Sequence, residues 1–230
     1  MESSEAVRPL LEDGAEVFIR SNRALPIIRK VIAVERGVGS HLSLPDEKRF
    51  DKQVSSQKPF GLRTFFRGRA KKSSVHDVIV LQSGGRAWVS RSEVAAGTDL
   101  IDSWKVFTSK SSSEHAGQVD KNGRRRVLSL SGVLPPGSVV TETYILLGAY
   151  DAEIEARNCF SYVATKFFRF LIAARSSAQD LARSAYQFVP LQDFSEPWTD
   201  EKLNTKYGLT DDEAAYIDKL IRPMEIGTDD

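Results

Sequence analysis

The chain has 230 residues, of which 41% are hydrophobic and 27% are charged, a composition that excludes a fibrous or disordered protein. No apolar run reaches the roughly 20 residues of a membrane-spanning helix, and the N-terminus lacks the pattern of a signal peptide, so a cytoplasmic protein is predicted. The net charge of +1 hides two opposite blocks, because residues 58–126 hold 14 Lys or Arg against 6 Asp or Glu and residues 193–230 hold 4 against 11.

The first predicted element is a helix from about Leu25 to Arg36. Apolar side chains recur there at helical spacing, Pro26 is tolerated in the first turn, and Gly37 ends the pattern. We assign residues 1–57, in which 9 basic and 9 acidic residues balance, to an N-terminal helical lead-in.

The most polarised segment follows, and we call Lys58–Lys72 (KPFGLRTFFRGRAKK) the basic stretch. It contains six cationic residues, three phenylalanines and no acid. Because its like charges repel and its apolar positions follow neither a helical nor a strand period, other elements have to hold it in place. Lys58-Pro59-Phe60-Gly61 predicts a turn with Phe60 at its apex. The phenylalanines suit stacking on bases, and the alternative is that at least two of them belong to the core.

A β-hairpin is predicted next, with strands at Val78–Gln82 and Arg86–Val89 joined by a turn that contains two glycines. A short helix over Ser92–Ile101 and a strand over Ser103–Thr108 come after it. Residues 109–126 form a long polar loop, and such loops are uncommon in compact domains unless they have a function or are disordered. This loop ends in Arg124, Arg125 and Arg126.

In the second half, strands are predicted at residues 127–134 and Val139–Leu147, and one long helix is predicted from Ala152 to Arg175 with Asp151 as its N-cap. One face of this helix is apolar and another carries arginines. A short helix over Ser177–Arg183 and a short strand or extended link over Tyr186–Pro190 lead to two final helices. Those two helices begin near Thr199 and Thr210.

These elements predict an α+β protein with a mixed or mostly antiparallel sheet, one long packed helix and a C-terminal helical hairpin. We divide the sequence into the lead-in at 1–57, a core at 58–192 and an acidic helical tail at 193–230, all within one structural domain.

Catalytic patterns are absent from the sequence. It has no glycine-rich nucleotide-binding motif, no nucleophile elbow and no paired-histidine zinc motif. The single cysteine, Cys159, excludes an internal disulfide, and the histidines, His41, His76 and His115, are far apart in the chain. No catalytic, cofactor or metal site is therefore predicted.

The chemistry that remains is binding of a polyanion. Arginine and lysine neutralise phosphates and read guanine edges, and aromatic rings stack on bases or wedge between them. A solvated charged face is the simpler explanation of the charge alone. We predict DNA contacts for Arg63, Phe66, Arg67, Arg69, Lys71, Lys72, Arg124, Arg125 and Arg126.

Two alternatives stay open. The first is a Mg²⁺-dependent restriction nuclease, whose site needs an acid on one strand and an acid-x-Lys triplet on the next to bind the metal. Asp46-Glu47-Lys48 and Asp200-Glu201-Lys202 are such triplets, although both lie on segments predicted to be helical. The second is an interaction module whose basic face binds an acidic protein.

The second half of the chain resembles a known family. TETYILLGAYD at residues 141–151, ARNCFSYVATKFFRFL at 156–171 and the segment 186–224, which contains FVPLQDFSEPWTDE, are similar to the C-terminal target-recognition region of bacterial type II restriction-modification N6-adenine DNA methyltransferases. A thinner similarity covers Val54–Thr64 and Trp104–Lys110. Because Arg63 lies inside the similar part, the later cations of the basic stretch are the better candidates for DNA contact.

The resemblance implies a DNA-binding module without catalysis of its own. In the family an upstream domain carries the S-adenosylmethionine site and the Asn-Pro-Pro-Tyr motif that holds the flipped adenine. This sequence has neither motif, since its only Pro-Pro pair, Pro135-Pro136, follows Leu134 and precedes Gly137. The expected partners are therefore double-stranded DNA and a methyltransferase catalytic domain, in cis or in trans, which would bind the S-adenosylmethionine. No membrane partner is expected.

Overall fold

The computed structural model describes residues 9, 11–37, 41–111, 119–175 and 181–224. Within these ranges the chain forms five α-helices and six β-strands, linked by loops and short 3-10 turns. In chain order they are α1 (Ala24–Arg36), β1 (Asp77–Gln82), β2 (Gly85–Ser90), β3 (Trp104–Ser109), β4 (Ser131–Leu134), β5 (Ser138–Val140), β6 (Tyr144–Tyr150), α2 (Glu153–Ala164), α3 (Lys166–Arg175), α4 (Asp200–Lys206) and α5 (Asp211–Leu220).

The six strands form two three-stranded sheets. The first has the order β2-β1-β5, in which β1 pairs antiparallel with β2 and parallel with β5. The second has the order β4-β3-β6 and is antiparallel throughout. The predicted α+β class with mostly antiparallel pairing is therefore confirmed.

The second sheet separates two hydrophobic cores. Successive side chains of a strand point to opposite faces, and here Val106 and Ile145 enter the larger core whereas Phe107 and Leu146 enter the smaller one. The larger core also contains the buried faces of helices α1, α2 and α3. The smaller core lies between this sheet and the first sheet. Burial on both faces explains why β6 reads as a continuous apolar run rather than an alternating one.

Helix α1 begins one residue earlier than predicted and ends at the predicted residue. It buries Ile27, Ile28, Val31 and Ile32, whose spacing places them on one side of the helix. The backbone amide of Gly37 donates to the carbonyl of Ala33 over 2.9 Å and closes the helix.

The long helix predicted over 152–175 is divided into α2 and α3 by Thr165. Thr165 has an extended backbone, with φ −64° and ψ 150°, and its hydroxyl accepts a hydrogen bond from the amide of Phe168 over 3.1 Å. Threonine in this position caps a new helix instead of continuing the old one. The prediction of Asp151 as N-cap was also wrong, because Ala152 occupies that position and makes no side-chain capping bond.

Three other predicted elements are shorter or divided. The segment Ser92–Ile101 holds two separate 3-10 turns, at Arg91–Glu93 and Thr98–Leu100, with Gly97 in a left-handed conformation between them. The strand predicted from 127 begins only at Ser131, and the strand predicted over Val139–Leu147 is split into β5 and β6. Residues 177–180 of the helix predicted at Ser177–Arg183 lie outside the described residues.

The C-terminal helical hairpin forms as predicted. The hydroxyl of Thr199 accepts a hydrogen bond from the amide of Lys202 at the start of α4, and Thr210 and Glu213 form a capping box at the start of α5. Gly208 ends the first of these helices with a φ of 60°, a value that favours glycine. None of the helices in the described ranges is long and apolar enough to cross a membrane.

Candidate functional site

The basic stretch begins with a turn that anchors it to the smaller core. The amide of Gly61 donates to the carbonyl of Lys58 over 3.2 Å, and Gly61 has a φ of 75°, which glycine adopts without strain. Phe60, at the corner of this turn, is fully buried. The predicted turn is therefore present, and the Phe60 ring belongs to the core.

Residues 63–67 form the first exposed part of the stretch. Phe65 is 79% exposed, whereas Phe66 is half-buried and packs against the smaller core. The guanidinium of Arg67 donates to the carbonyls of Thr64 and Phe66 over 2.9 and 2.8 Å and so closes the loop on itself. The most accessible ring is therefore that of Phe65, not that of Phe66, which the sequence predicted as a contact residue.

The loop is fastened to the β1–β2 hairpin through its backbone. Arg69 and Trp88 exchange two backbone hydrogen bonds of 2.7 and 2.8 Å, and the amide of Gly68 donates to the side chain of Gln82 over 2.8 Å. A Cβ atom at Gly68 would lie 2.7 Å from the carbonyl oxygen of Trp88. A side chain at this position would push the loop away from strand β2.

An ion pair between Arg69 and Asp77 fixes the C-terminal part of the loop. Arg69 forms ion pairs with the carboxylates of Asp77 at 2.8 Å and Glu93 at 3.2 Å. The buried Asp77 carboxylate also accepts hydrogen bonds from the backbone amides of Ser73 and Ser74 and from the Ser73 hydroxyl. The Ser73 amide and hydroxyl, then Arg69, lower the pKa of Asp77 from 3.8 to about 2. Arg69 therefore has a structural partner that the sequence did not reveal.

Replacing Asp77 with asparagine is expected to loosen residues 69–76. The folded pKa of Asp77 is about 2 and its ordinary value is 3.8, so its contribution to stability is present above pH 4 and is lost as the pH falls toward 2. In Asp77→Asn, amide exchange in this loop should be faster at pH 7, and the acid dependence between pH 4 and 2 should weaken. Asp99→Asn, which changes an exposed acid, serves as the control. Unchanged exchange at residues 69–76 would contradict the assignment.

Four other cations of the basic stretch remain open to solvent. Arg63, Arg67, Lys71 and Lys72 are all exposed. The ammonium of Lys72 lies 5.3 Å from the ring centre of Trp88 on strand β2, within the range of a cation–π contact. Six of the nine residues predicted to contact DNA thus lie on this one loop.

The remaining three predicted residues are held on another part of the molecule. Arg125 donates its amide to the carbonyl of Leu220 over 2.7 Å and accepts from the amide of Arg222 over 3.0 Å, so it pairs with the chain that follows α5. Arg124 precedes this pairing in a turn stabilised by Asp120. The two groups of arginines that the sequence placed on one DNA surface therefore have separate supports.

Arg124 and Arg126 line a cleft of about 610 Å³ beside strand β4. We call it the arginine cleft, because five of the described residues that line it are arginines and only one, Asp120, is acidic. The sequence predicted only two of these arginines as contact residues, and the other three come from α2, α3 and the segment after α5. The five are Arg124, Arg126, Arg157, Arg169 and Arg222.

Neither acid-x-Lys triplet lies on a strand. Asp46–Lys48 forms a 3-10 turn and Asp200–Lys202 begins α4. The Asp200 carboxylate accepts hydrogen bonds from the amides of Lys166 and Phe167 over 3.1 and 2.8 Å, so it caps α3. In the described ranges no group of three or more His, Cys, Asp or Glu side chains is arranged to hold a metal ion. The geometry that the nuclease alternative requires is therefore not formed by these triplets.

Fold and site together define an α+β protein with two cationic surfaces, one on the basic stretch and one in the arginine cleft. Comparison of the chain with protein-family models, with curated proteins and with solved structures found no match. The resemblance to methyltransferase recognition regions therefore remains a prediction from the sequence.

Proposed function

We propose that this chain is a DNA target-recognition module of a type II restriction-modification N6-adenine DNA methyltransferase or of a fused restriction enzyme. In this proposal it binds duplex DNA for a methyltransferase catalytic domain, in cis or in trans, and that domain binds S-adenosylmethionine and transfers the methyl group. The proposal combines the resemblance over residues 141–224 with the chemistry of the basic stretch.

The observation that carries the proposal is the exposed loop at residues 63–72. It presents Phe65 beside cationic side chains that are open to solvent. Buried Phe60 fixes the chain before it, and the ion pair of Arg69 and the hydrogen bond of the Ser73 amide with Asp77 fix its other end. A loop fixed at both ends loses little conformational entropy when it binds. Cations supply contacts to phosphates, and an exposed ring supplies a surface for a base.

Charge distribution gives the proposal further support. The loop belongs to the segment with a surplus of eight positive charges, whereas residues 193–230 have a deficit of seven. The described part of that acidic segment packs as α4 and α5 against the larger core, through Leu203, Tyr207 and Ile217. An acidic surface there disfavours DNA and directs it toward the basic side.

Salt dependence of DNA binding tests the loop. Each phosphate contact contributes about 0.9 to the slope of log Kobs against log salt concentration. A variant with Arg63, Lys71 and Lys72 replaced by alanine is therefore expected to lower that slope by roughly 2.7 and to weaken binding at low salt. Fluorescence anisotropy with a labelled duplex measures both quantities.

The matched control replaces Arg20, Lys48 and Lys219 with alanine, since these three exposed cations lie outside the basic stretch. Its slope should equal that of the unmodified chain. Absence of binding at low salt, or equal effects of the two triple variants, would rule out the loop as the DNA-contacting surface.

Selection from a pool of random duplexes separates target recognition from general DNA binding. A target-recognition module is expected to enrich a defined sequence, because base-edge contacts discriminate by about 1–3 kcal/mol per base pair. If the pool stays random after several rounds, the chain does not recognise a target sequence, and only general DNA binding remains.

A further inference from the structure

We propose that the arginine cleft is a second binding site, specific for phosphate groups and separate from the basic stretch. Its walls come from five parts of the fold: the loop before β4, the edge strand β4 itself, helices α2 and α3, and the segment after α5. No element of the basic stretch lines it. The inference does not depend on the proposed function, because the site is defined by its own residues.

The charge of the cleft is strongly unbalanced. Among the residues that the structure describes, five arginines and one aspartate line it, a formal surplus of four positive charges. The carboxylate of Asp120 already accepts hydrogen bonds from the backbone amides of Asn122 and Arg124 over 2.8 and 2.9 Å. Arg157 is bound to Glu153 at 2.7 Å, and both side chains are exposed. Arg124 and Arg222 lie near enough to Asp120 that their charges help its backbone hydrogen bonds to lower the pKa of its carboxyl.

Arg169 binds the backbone of two other cleft arginines, Arg126 and Arg222. Arg169 is fully buried, and its Nη1 atom donates to the carbonyl of Arg222 over 2.7 Å and to that of Arg126 over 3.3 Å. The cleft arginines at 126 and 222 are thus fixed relative to each other. Pre-organised cations bind an anion with less loss of entropy than flexible ones do.

The turn after Arg126 is strained. Val127 has a φ of 69°, and within the described ranges it is the only residue besides glycine with a positive φ. The amide of Leu128 donates to the carbonyl of Arg126 over 2.9 Å, which makes this the rare γ-turn with positive φ. Such a conformation in a β-branched residue persists only where the surroundings impose it, and it clusters at functional sites. Here burial of both Val127 and Leu128 in the larger core imposes it.

Phosphate is the anion that fits this arrangement. Guanidinium forks bind phosphate oxygens through paired hydrogen bonds, and a cleft of about 610 Å³ is larger than one phosphate group requires. The apolar side chains of Leu130, Phe160 and Met224 also line it, which leaves a surface for a sugar or base attached to the phosphate. Two sources share this chemistry, namely the backbone of a nucleic acid and a free nucleotide.

The test uses a variant with Arg124 and Arg222 both replaced by glutamine, because the Asp120 carboxylate that they face keeps its hydrogen bonds from the backbone amides of Asn122 and Arg124. Titration calorimetry with pyrophosphate should show a Kd at least about tenfold higher than that of the unmodified chain, since hydrogen bonds between charged groups are lost. The charge-matched control, Arg20→Gln with Lys48→Gln, should bind pyrophosphate like the unmodified chain. Thermal unfolding of both variants checks that they are folded.

A second titration with a duplex of 16 base pairs distinguishes the two sources. Weaker duplex binding by Arg124→Gln with Arg222→Gln assigns the cleft to a nucleic-acid backbone. Unchanged duplex binding together with weakened pyrophosphate binding assigns it to a free phosphate-bearing molecule. The proposal is overturned if the variant changes neither titration. That result is distinct from failure of the DNA proposal, which the variant of the basic stretch tests.

Discussion

The Arg169→Met variant is expected to lose about 3–5 kcal/mol of unfolding free energy, because several backbone carbonyls lose a charged donor at once. Arg169 is 0% exposed and is one of the largest fully buried side chains. Methionine matches the apolar stem of arginine but has no donor. The loss should appear in urea denaturation as a lower midpoint at an unchanged m-value.

The physical reason is the number of backbone groups that one guanidinium satisfies. Its Nε and Nη2 atoms donate to the carbonyls of Thr165 and Ala164 over 3.2 and 3.1 Å, at the end of helix α2, where the helix dipole favours a cation. Its Nη1 atom donates to the carbonyls of Arg126 and Arg222. Each buried carbonyl that loses its donor costs about 1–3 kcal/mol. Removal of the buried charge offsets part of this cost.

Two further variants make the experiment specific. Arg157→Met removes an exposed arginine of the same cleft, whose ion pair with Glu153 contributes less than about 0.5 kcal/mol. Arg169→Lys keeps the charge but cannot reach the same set of carbonyls, so it should fall between Arg169→Met and the unmodified chain. Amide exchange should increase at residues 124–128 and 221–224 in both Arg169 variants. A loss of less than 1 kcal/mol in Arg169→Met would contradict the structural role.

Local patterns in the sequence were sufficient for the elements whose signals are local. The β1–β2 hairpin, helix α1 and the caps at Thr199 and Thr210 form where turn and capping residues place them. Each of these signals acts over a few residues. The exposed cations of the basic stretch were also predictable, because no apolar pattern could bury them.

Features that depend on distant residues were not predictable in the same way. Helices α2 and α3 were taken as one because the apolar spacing continues across Thr165, and the Asp200 carboxylate that caps α3 lies 33 residues beyond Phe167 in the chain. Arg69 was predicted as a DNA contact without knowledge of its ion pair with Asp77. That ion pair forms only when the loop folds against the hairpin, so the sequence does not show it. A charged residue in a sequence does not reveal whether its partner is in the fold or in solution.

The arginine cleft shows the same limit. Arg157 and Arg169 were placed on the polar face of a predicted helix, and Arg222 stood alone in an acidic segment. The cleft forms because the amide of Arg222 donates to the carbonyl of Arg125, a contact between segments almost 100 residues apart. The predicted helix that carries Arg157 and Arg169 indicates part of the cleft. No sequence pattern indicates the wall that Arg222 forms.

The Lys105→Met variant is expected to lose about 2–4 kcal/mol of unfolding free energy at pH 7, because three carbonyls lose a charged donor. Lys105 is 0% exposed and lies on β3 between Trp104 and Val106, whose side chains both pack in the larger core. Its ammonium donates to the carbonyls of Leu100, Ile101 and Ser103 over 2.9, 2.9 and 2.6 Å. It thereby closes the turn that leads into β3.

The pH dependence gives an independent check on the same side chain. Burial lowers the pKa of Lys105 from 10.5 to about 8, although nearby Asp102 raises it. Between these two pH values the unfolded chain binds more protons than the folded chain, so the unfolding free energy of the unmodified protein rises with pH in this window. Methionine at 105 does not titrate. The stability difference between the two proteins should therefore be larger at pH 10 than at pH 7.

Urea denaturation at the two pH values measures this difference, with Lys110→Met as the control at a position just beyond the end of β3. Lys110 is half-buried, and its side chain makes no hydrogen bond or ion pair with the described residues. Its substitution should change the unfolding free energy by less than about 0.5 kcal/mol and leave the pH dependence intact. A Lys105→Met difference that stays constant or shrinks above pH 8 would show that the ammonium is not desolvated by the fold. A charged lysine would then be stabilised at this site by its three carbonyls alone.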